Sequence, residues 1–153
     1  MLALRGDIPK EMADADRSGW DYRYAIDLIR ELKAAGDFCV GGACYPEIHP
    51  ESHNQAEDIA HLKEKVDAGC DFLTTQMFFD NNLLYNFLYK IREAGITVPV
   101  VPGIMPITAG NQVARAIQLS GSFMPRRFVS LVDKFGSNPA AMKQAGIAYA
   151  TDQ

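Results

Sequence analysis

Apolar and polar residues alternate along this chain in blocks that predict strands separated by helices. Four short apolar runs predict strands, and they lie at residues 1–4, 37–45, 70–79 and 97–104. Three segments with apolar residues at helical spacing separate these runs, and they end at Gly36, Gly69 and Gly95. Asp21 is the expected N-cap of the first helix. The rest of the sequence predicts helices alone, at residues 111–119, 126–135 and 139–150.

Strands separated by single helices form parallel sheets with right-handed crossovers. A closed barrel of eight such units needs about 250 residues, and the chain has 153. We therefore expect an α/β fold of the (β/α)8 TIM-barrel type, with residues 1–153 forming a partial barrel. It would cover roughly the second half, about four parallel strands with intervening helices, and lack the N-terminal strands and the last strand. Because such a half leaves apolar strand edges exposed, we also expect a homo-oligomer.

Charge and cysteine content narrow the class of partner. The net charge of −4 and the pI near 5.3 argue against a nucleic-acid partner or an anionic membrane surface. No apolar run approaches the roughly 20 residues of a membrane helix, and the first residues show no secretory signal. Three cysteines, an odd number, fit reduced thiols better than a disulfide framework. We expect a cytoplasmic protein.

The loop at residues 44–52, which follows the second predicted strand, is rich in titratable side chains. It contains Tyr45, Glu47, His49 and Glu51, and two prolines restrict its backbone. In parallel α/β folds, ligands bind in the loops at the carboxyl ends of the strands. The loop is therefore the first candidate for a binding site.

Strand alternation adds two further candidates. Ala43 and Tyr45 share one face of their strand, where the small side chain would let a flat ligand approach. A tightly packed barrel interior explains the same pattern. On the next strand Gln76 shares a face with Thr74 and Phe78. An amide in so apolar a run must find partners or contact a ligand.

Polar residues next to these strands complete the set. Asp58, His61 and Lys65 form a stripe along the second helix. A solvated flank explains this stripe, and so does an edge along which a long ligand lies. The triplet at residues 5–7 follows the first strand, where Arg5 could contact phosphate and Gly6 allows close backbone approach.

Several common sites are not indicated. Cys44, His49 and His53 are close in sequence, but no CxxC pair or HExxH motif accompanies them, so we expect no metal site. No GxGxxG, GxxxxGK[ST] or GxSxG element is present. Any nucleotide must therefore be bound by residues outside these common motifs.

Taken together, five segments resemble the methylenetetrahydrofolate reductase family. They are LRGD at residues 4–7, ACYPEIHPE at 43–51, KVDAG at 65–69, TQMFFD at 75–80 and PGIMP at 102–106. The resemblance implies a (β/α)8 barrel that acts in one-carbon metabolism and binds FAD and folate at the carboxyl ends of its strands. NADH or NADPH would pass a hydride to FAD and leave. The reduced flavin would then pass the hydride to 5,10-methylenetetrahydrofolate, giving the 5-methyl form.

The resemblance also implies roles for single residues. Asp7 would lie near the flavin N1 and be catalytic. Gln76 would be catalytic and contact both the pterin and the nicotinamide, while Gln112 would contact the folate tail. The remaining implied FAD-binding residues are Arg5, Gly6, Ala43, Tyr45, His49, Ser52, Asp58, His61 and Lys65.

The family's catalytic glutamate, a threonine and a histidine for FAD, and an arginine for the folate tail have no counterpart in these residues. We therefore expect this segment by itself not to be a competent reductase. One alternative is a catalytically silent half-barrel that binds FAD or assembles with a reductase. Another is an unrelated enzyme that uses Glu47 and Glu51 as an acid/base pair.

Overall fold

The computed structural model of the chain describes residues 1–6, 8–12, 15–16 and 18–153. Within these residues, four parallel strands form one sheet in chain order: β1 (Leu2–Ala3), β2 (Gly41–Cys44), β3 (Phe72–Thr75) and β4 (Val100–Val101). The helices are α1 (Ala25–Ala35), α2 (Gln55–Asp67), α3 (Asn81–Glu93), α4 (Gln112–Ser120), α5 (Arg126–Phe135) and α6 (Pro139–Thr151), with a short 3-10 helix at Lys10–Met12. The predicted α/β class is confirmed.

The strand register separates the sheet into two faces. One row of paired residues carries Ala3, Gly42, Leu73 and Val100, and this row packs beneath the helices. The opposite face carries Leu2, Gly41 and Phe72 in one row and Ala43, Thr74 and Val101 in the next. A Cβ on Gly41 would lie 2.3 Å from the Phe72 ring, so the Phe72 ring fills the space that this glycine leaves.

The helix-covered face holds the main apolar core. Ile29 of α1, Leu62 of α2 and Phe87 of α3 pack with Leu73 of β3, and each of the four is at most 3% exposed. Burial of a side chain of this size stabilises the fold by about 1.5–3 kcal/mol. The helical spacing of these residues in the sequence is therefore explained by packing against one sheet face.

A second apolar cluster lies among the last three helices. Its fully buried members are Phe79, Ile107, Ala116, Phe128 and Met142. The Phe128 ring lies 5.2 Å from that of Phe79 and 4.8 Å from that of Tyr149. The Tyr149 hydroxyl donates to the Phe79 carbonyl at 2.5 Å. This cluster, called here the aromatic cluster, ties α4–α6 to the segment that follows β3.

The prediction that Asp21 caps the first helix is wrong. That helix begins at Ala25, because the Asp27 carboxylate accepts hydrogen bonds from the backbone N–H groups of Arg23 and Tyr24, both at 3.1 Å. A carboxylate in the first turn that satisfies amide groups before the helix fixes where the helix starts.

The strands are shorter than the apolar runs that predicted them. In the run at residues 37–45, Phe38 is 41% exposed and lies before the ladder, which begins at Gly41. β4 contains two residues. The Pro99 carbonyl accepts from Leu73 N–H at 2.9 Å, and Pro102 has no N–H with which to continue the ladder.

Candidate functional site

A cleft of about 510 Å³ opens where β1 and β2 end, next to α1 and α2. Among the residues that the structure describes, its lining comprises Leu4, Arg5, Gly6, Tyr24, Ala25, Ile26, Ala43, Tyr45, His49, Glu51, Ser52, Asp58, His61, Glu64 and Lys65. In a parallel α/β sheet, the carboxyl ends of strands and the start of the following helices share one edge. The loop after β2 and the polar stripe of α2 therefore meet at this cleft.

Nine of the residues for which the family resemblance implies a role in FAD binding line this one cleft. They are Arg5, Gly6, Ala43, Tyr45, His49, Ser52, Asp58, His61 and Lys65. Gly6 has φ of +80°, a conformation that glycine adopts without strain, and nothing lies within 4 Å of where its Cβ would be. The polar stripe on α2 faces the cleft, which favours a binding role for it over a merely solvated flank.

Arg5 is held by an ion pair across the mouth of the cleft. Its two terminal nitrogens donate to the two carboxylate oxygens of Glu51, both at 2.9 Å. The guanidinium also lies 5.7 Å from the centre of the Tyr24 ring, within the range of a cation–π contact. The hydrogen bond with Glu51 raises the pKa of Arg5 above the ordinary value of a guanidinium. A second cleft of about 460 Å³, which Ser18 and Arg23 help to line, adjoins Tyr24 and Glu51.

Asp58 anchors the loop that carries His49. Its carboxylate accepts from the backbone N–H of His49 at 3.1 Å and from the Ser52 hydroxyl at 3.4 Å. The Tyr45 ring packs edge-on against the imidazole, with 4.6 Å between ring centres. Burial lowers the pKa of His49 below its ordinary 6.5, since it outweighs the opposite pull of Glu51 and Asp58. The imidazole is therefore neutral around pH 7.

Lys65 reaches under the cleft from α2. Its ammonium donates to the Ala43 carbonyl at 2.7 Å. Burial lowers the pKa of Lys65, against the opposing influence of Cys44 and Asp58. Burial also raises the pKa of the Cys44 thiol to about 12, so this thiol stays protonated and inert. Lys65 thus brings a poorly solvated cation to the floor of the cleft.

Two residues with predicted roles, Gln76 and Gln112, lie outside the cleft lining. A third, Asp7, is outside the described residues. Gln76 follows β3, where its backbone N–H donates to the Cys44 carbonyl at 2.8 Å and its own side-chain oxygen accepts from Met77 N–H at 2.9 Å. The strand ends at Thr75, so the predicted alternation does not extend to Phe78, which packs in the main core.

Gln112 begins α4, away from the cleft. Its side-chain oxygen accepts from the backbone N–H groups of Thr108 at 2.9 Å and Ala109 at 3.2 Å. The amide therefore closes the turn that precedes the helix. Its role toward a substrate stays a prediction, as does that of Gln76.

The two glutamates of the loop have different partners. Both carboxylate oxygens of Glu47 accept from the backbone N–H of Phe123, at 3.0 and 2.8 Å, and burial raises the pKa of Glu47 despite this donor. Glu51 pairs with Arg5 and lines the cleft, whereas Glu47 is absent from its lining. This arrangement does not favour their use as an acid/base pair.

Sequence reasoning missed the contribution of α1 to the cleft. Tyr24, Ala25 and Ile26 line it, and so do Leu4 and Glu64. The signal was present, because the start of the helix after β1 must lie at the same sheet edge as the end of β1. Glu51 was considered only as an acid or base, and its partner Arg5 is 46 residues away.

In the part of the chain that the structure describes, no three His, Cys, Asp or Glu side chains are grouped as metal ligands. Every helix in the same residues falls short of the length and apolar character that a membrane crossing requires.

The sequence model of the methylenetetrahydrofolate reductase family matches residues 1–153. The chain belongs to this family. Methylenetetrahydrofolate reductase 2 of Saccharomyces cerevisiae is 39% identical over 150 residues, which are 95% of this chain and 25% of the yeast protein. The 5,10-methylenetetrahydrofolate reductase of Escherichia coli K12 is 34% identical over 152 residues, which are 99% of this chain and 49% of that enzyme.

The chain thus spans about a quarter to a half of the length of these relatives. A solved structure from Clostridium thermocellum superposes with a TM-score of 0.55 and 14% identity, over 84% of this chain and 47% of that one. That protein is described as binding two copies of 5-methyl-5,6,7,8-tetrahydrofolic acid. At this identity the likeness shows the fold alone. Together with the family match, the four parallel strands are consistent with a partial TIM barrel.

Proposed function

We propose that this chain forms the FAD-binding part of an oxidoreductase that reduces 5,10-methylenetetrahydrofolate to 5-methyltetrahydrofolate, with NADH or NADPH as the hydride donor. One observation carries the proposal. The family match over residues 1–153 coincides with a cleft in which nine of the expected cofactor residues stand together.

The residues of the cleft suit FAD in shape and chemistry. Gly6 and Ala43 leave room for a flat ring, and Tyr45 offers an aromatic surface beside them. Arg5 has N–H groups beyond the two that Glu51 engages, and these can donate to phosphate oxygens. Lys65 adds a second cation. A cleft of about 510 Å³ lies in the usual range for cofactor sites, about 300–1,000 Å³.

Bound FAD would supply the hydride transfer between the nicotinamide and the folate. The chain's own residues bind and orient it. Arg5 and Lys65 neutralise phosphate charge, and Asp58 accepts from hydroxyl groups of the cofactor. The Asp58 carboxylate accepts two hydrogen bonds within the chain and has lone pairs left for a ligand. Asp7, which follows Gly6, is proposed as the carboxylate near the flavin N1.

Gln76 is proposed to meet the pterin and the nicotinamide. Its side-chain oxygen is used by Met77 N–H, while its Nε2 group donates to none of the described residues. That group can donate to a carbonyl or ring nitrogen of either substrate. Gln112 is arranged in the same way, with its oxygen engaged by Thr108 and Ala109 and its Nε2 proposed for the folate tail.

We also propose that residues 1–153 are part of a (β/α)8 barrel, and that the chain associates with further copies of itself. The sheet face opposite the helices supports this, because Leu2 is 46% exposed and Val101 is 49% exposed there. A barrel interior or an interface between copies would bury these side chains. Sedimentation velocity across a concentration series tests association, and a monomer at every concentration would refute it.

A cytoplasmic location, in which the three free thiols stay reduced, completes the proposal.

The decisive experiment is a visible spectrum of the purified chain after incubation with FAD and desalting. A retained flavin spectrum is the expected result. Anaerobic addition of NADH or NADPH, and then of 5,10-methylenetetrahydrofolate, tests turnover: bleaching and recovery of the flavin colour would show that these residues are competent without the family's missing glutamate. Retention without bleaching or recovery would instead favour the alternative, a catalytically silent FAD-binding unit that assembles with the rest of a reductase. A colourless chain would contradict both.

A further inference from the structure

The loop after β2 contains a turn whose backbone contacts its own histidine ring. The His49 carbonyl accepts from Ser52 N–H at 2.9 Å, so Pro50 and Glu51 occupy the two central positions. Within this turn the backbone N–H of Glu51 donates to Nδ1 of His49 at 3.1 Å. The distance is within the normal range for a hydrogen bond to nitrogen.

This contact determines where the imidazole carries its proton. A ring nitrogen that accepts a hydrogen bond presents a lone pair and has no hydrogen of its own, and a neutral imidazole has one N–H in all. The hydrogen of His49 must therefore be on Nε2. Tyr45 packs edge-on against the ring at 88°, and Asp58 accepts from the backbone N–H of His49, so contacts hold both the ring and the backbone that carries it. Nε2 has no acceptor among the described residues and belongs to a side chain that lines the cleft.

The side chain of the same glutamate orients a second donor. Its carboxylate forms the two-pronged ion pair with Arg5, whose side chain is only 18% exposed. Such a pair fixes the plane of the guanidinium as well as its position. One residue thus contacts both cleft donors, the imidazole through its backbone and the guanidinium through its carboxylate.

We propose that Glu51 is the positioning residue of this cleft: it fixes His49 as an Nε2–H donor and holds Arg5, so that a ligand meets two oriented donors. The proposal rests on the proposed function. It states how FAD is bound: acceptors of the cofactor, such as its phosphate oxygens, receive hydrogen bonds from His49 and Arg5.

Four charged groups act on the His49 ring. Glu51 and Asp58 favour its protonated form, whereas Arg5, Lys65 and burial favour the neutral form. A doubly protonated ring would turn an N–H toward the N–H of Glu51 and break the contact. The donor arrangement therefore requires the neutral ring.

The first test is nitrogen NMR of the intact chain labelled with ¹⁵N-histidine, without any ligand. The His49 signals are assigned by their loss in His49→Gln. At pH 7 we expect the ¹⁵N chemical shift of Nδ1 to be that of an unprotonated ring nitrogen and the shift of Nε2 to be that of a protonated one. The couplings between ring protons and nitrogens should show a single tautomer. The opposite tautomer, or shifts averaged as in free imidazole, would overturn the proposal. Because no cofactor is present, this result is independent of whether the chain is a flavoprotein.

The second test separates a positioning role from a merely structural one. Glu51→Gln keeps the backbone N–H but loses the charge that holds Arg5. We expect the His49 tautomer to be unchanged and the Kd for FAD to rise roughly three- to tenfold. The matched control is Glu57→Gln, in which the lost carboxylate accepts from His53 N–H at 2.7 Å but lies outside the cleft lining. It should leave the Kd unchanged.

If Glu51→Gln binds FAD more tightly than the parent, the carboxylate merely occupies the place of a ligand phosphate, and the positioning role is wrong. Equal losses of affinity in Glu51→Gln and Glu57→Gln, accompanied by equal losses of thermal stability, would also contradict it. If the parent chain retains no FAD, the proposed function and the ligand named here both fail. The tautomer assignment is then still decided by NMR.

Discussion

The cleft and the aromatic cluster are held together by different kinds of interaction. Around the cleft, charged and polar side chains pair with each other, as Arg5 does with Glu51, and most of them keep contact with solvent. In the aromatic cluster Phe128 is 1% exposed and Met142 is 0% exposed, and contacts between rings and aliphatic side chains dominate. Exposed ion pairs contribute about 0–1 kcal/mol each, whereas a buried phenylalanine contributes several times more.

This difference separates stability from binding. The aromatic cluster should account for much of the free energy of unfolding and for little of any affinity for a cofactor. The cleft residues should contribute little to the free energy of unfolding and much to the affinity for a cofactor, because their polar groups are positioned for a ligand. Substitutions in the two regions can test this division directly.

The largest expected effect is from Phe128→Ala in the aromatic cluster. Loss of a ring that packs on Phe79 and Tyr149 should lower the free energy of unfolding by about 3–5 kcal/mol. Urea denaturation followed by circular dichroism measures it. The neighbouring Val129→Ala, at a side chain that is 42% exposed, should cost less than about 0.5 kcal/mol. Similar losses in both variants would mean that this cluster does not stabilise the fold as described.

Next in size is Gly146→Ala in α6. A Cβ at this position would lie 1.8 Å from the Ile107 carbonyl oxygen, which is backbone and cannot rotate away. We expect a loss of about 1–3 kcal/mol, although alanine is normally the better helix former. Gly19→Ala is the control, since nothing lies within 4 Å of its Cβ position. A stabilised Gly146→Ala variant would show that α6 does not pack closely on Ile107.

In the cleft, Lys65→Met should reduce the affinity for FAD and leave the stability of the fold nearly unchanged. The substitution removes a partly buried cation, so the free energy of unfolding should change by less than about 1 kcal/mol, while FAD affinity falls about tenfold, or about 1.4 kcal/mol. Isothermal titration with FAD and urea denaturation give the two quantities. Lys63→Met, two residues away on the same helix and paired with Asp67, should change neither strongly. Loss of stability without loss of affinity would make Lys65 a structural residue.

The smallest effect concerns pH. The pKa of His49 is lowered from 6.5 by burial, so below pH 6.5 the unfolded chain binds a proton that the folded chain resists. Stability should therefore fall as the pH drops from 6.5 through the lowered pKa of His49. His49→Gln should make stability less dependent on pH in this window, as measured by urea midpoints at successive pH values. His61→Gln controls for the loss of an exposed histidine. An unchanged slope in His49→Gln would contradict the burial of the ring.

Residue patterns were sufficient for the order of elements and for the loop after β2, because both depend on local signals. Periodicity located the helices, and the prolines around His49 marked a stiff turn. Nothing local indicated that Arg5 pairs with Glu51, or that Glu47 caps the N–H of Phe123, 76 residues away. Such pairs form only once the strands are side by side.

The same limit explains the errors in detail. Asp21 is a good N-cap by type, but Asp27 satisfies the preceding amides and moves the start of α1 to Ala25. The run at residues 37–45 is apolar enough for a long strand, but ladder pairing with β1 begins only at Gly41. Apolar composition reports burial, and hydrogen-bond pairing with a neighbouring strand decides where a strand begins.

All the described residues that line the cleft fall within residues 4–65 of the chain, whereas Ile107, Phe128 and Met142 of the aromatic cluster come much later. Synthesis on the ribosome proceeds from the N-terminus, and domains begin to fold as they emerge. The whole cleft is therefore translated before the helices of the aromatic cluster exist. During that interval the nascent chain already carries the described groups of the cleft, and a ligand bound there would stabilise the emerging sheet by mass action.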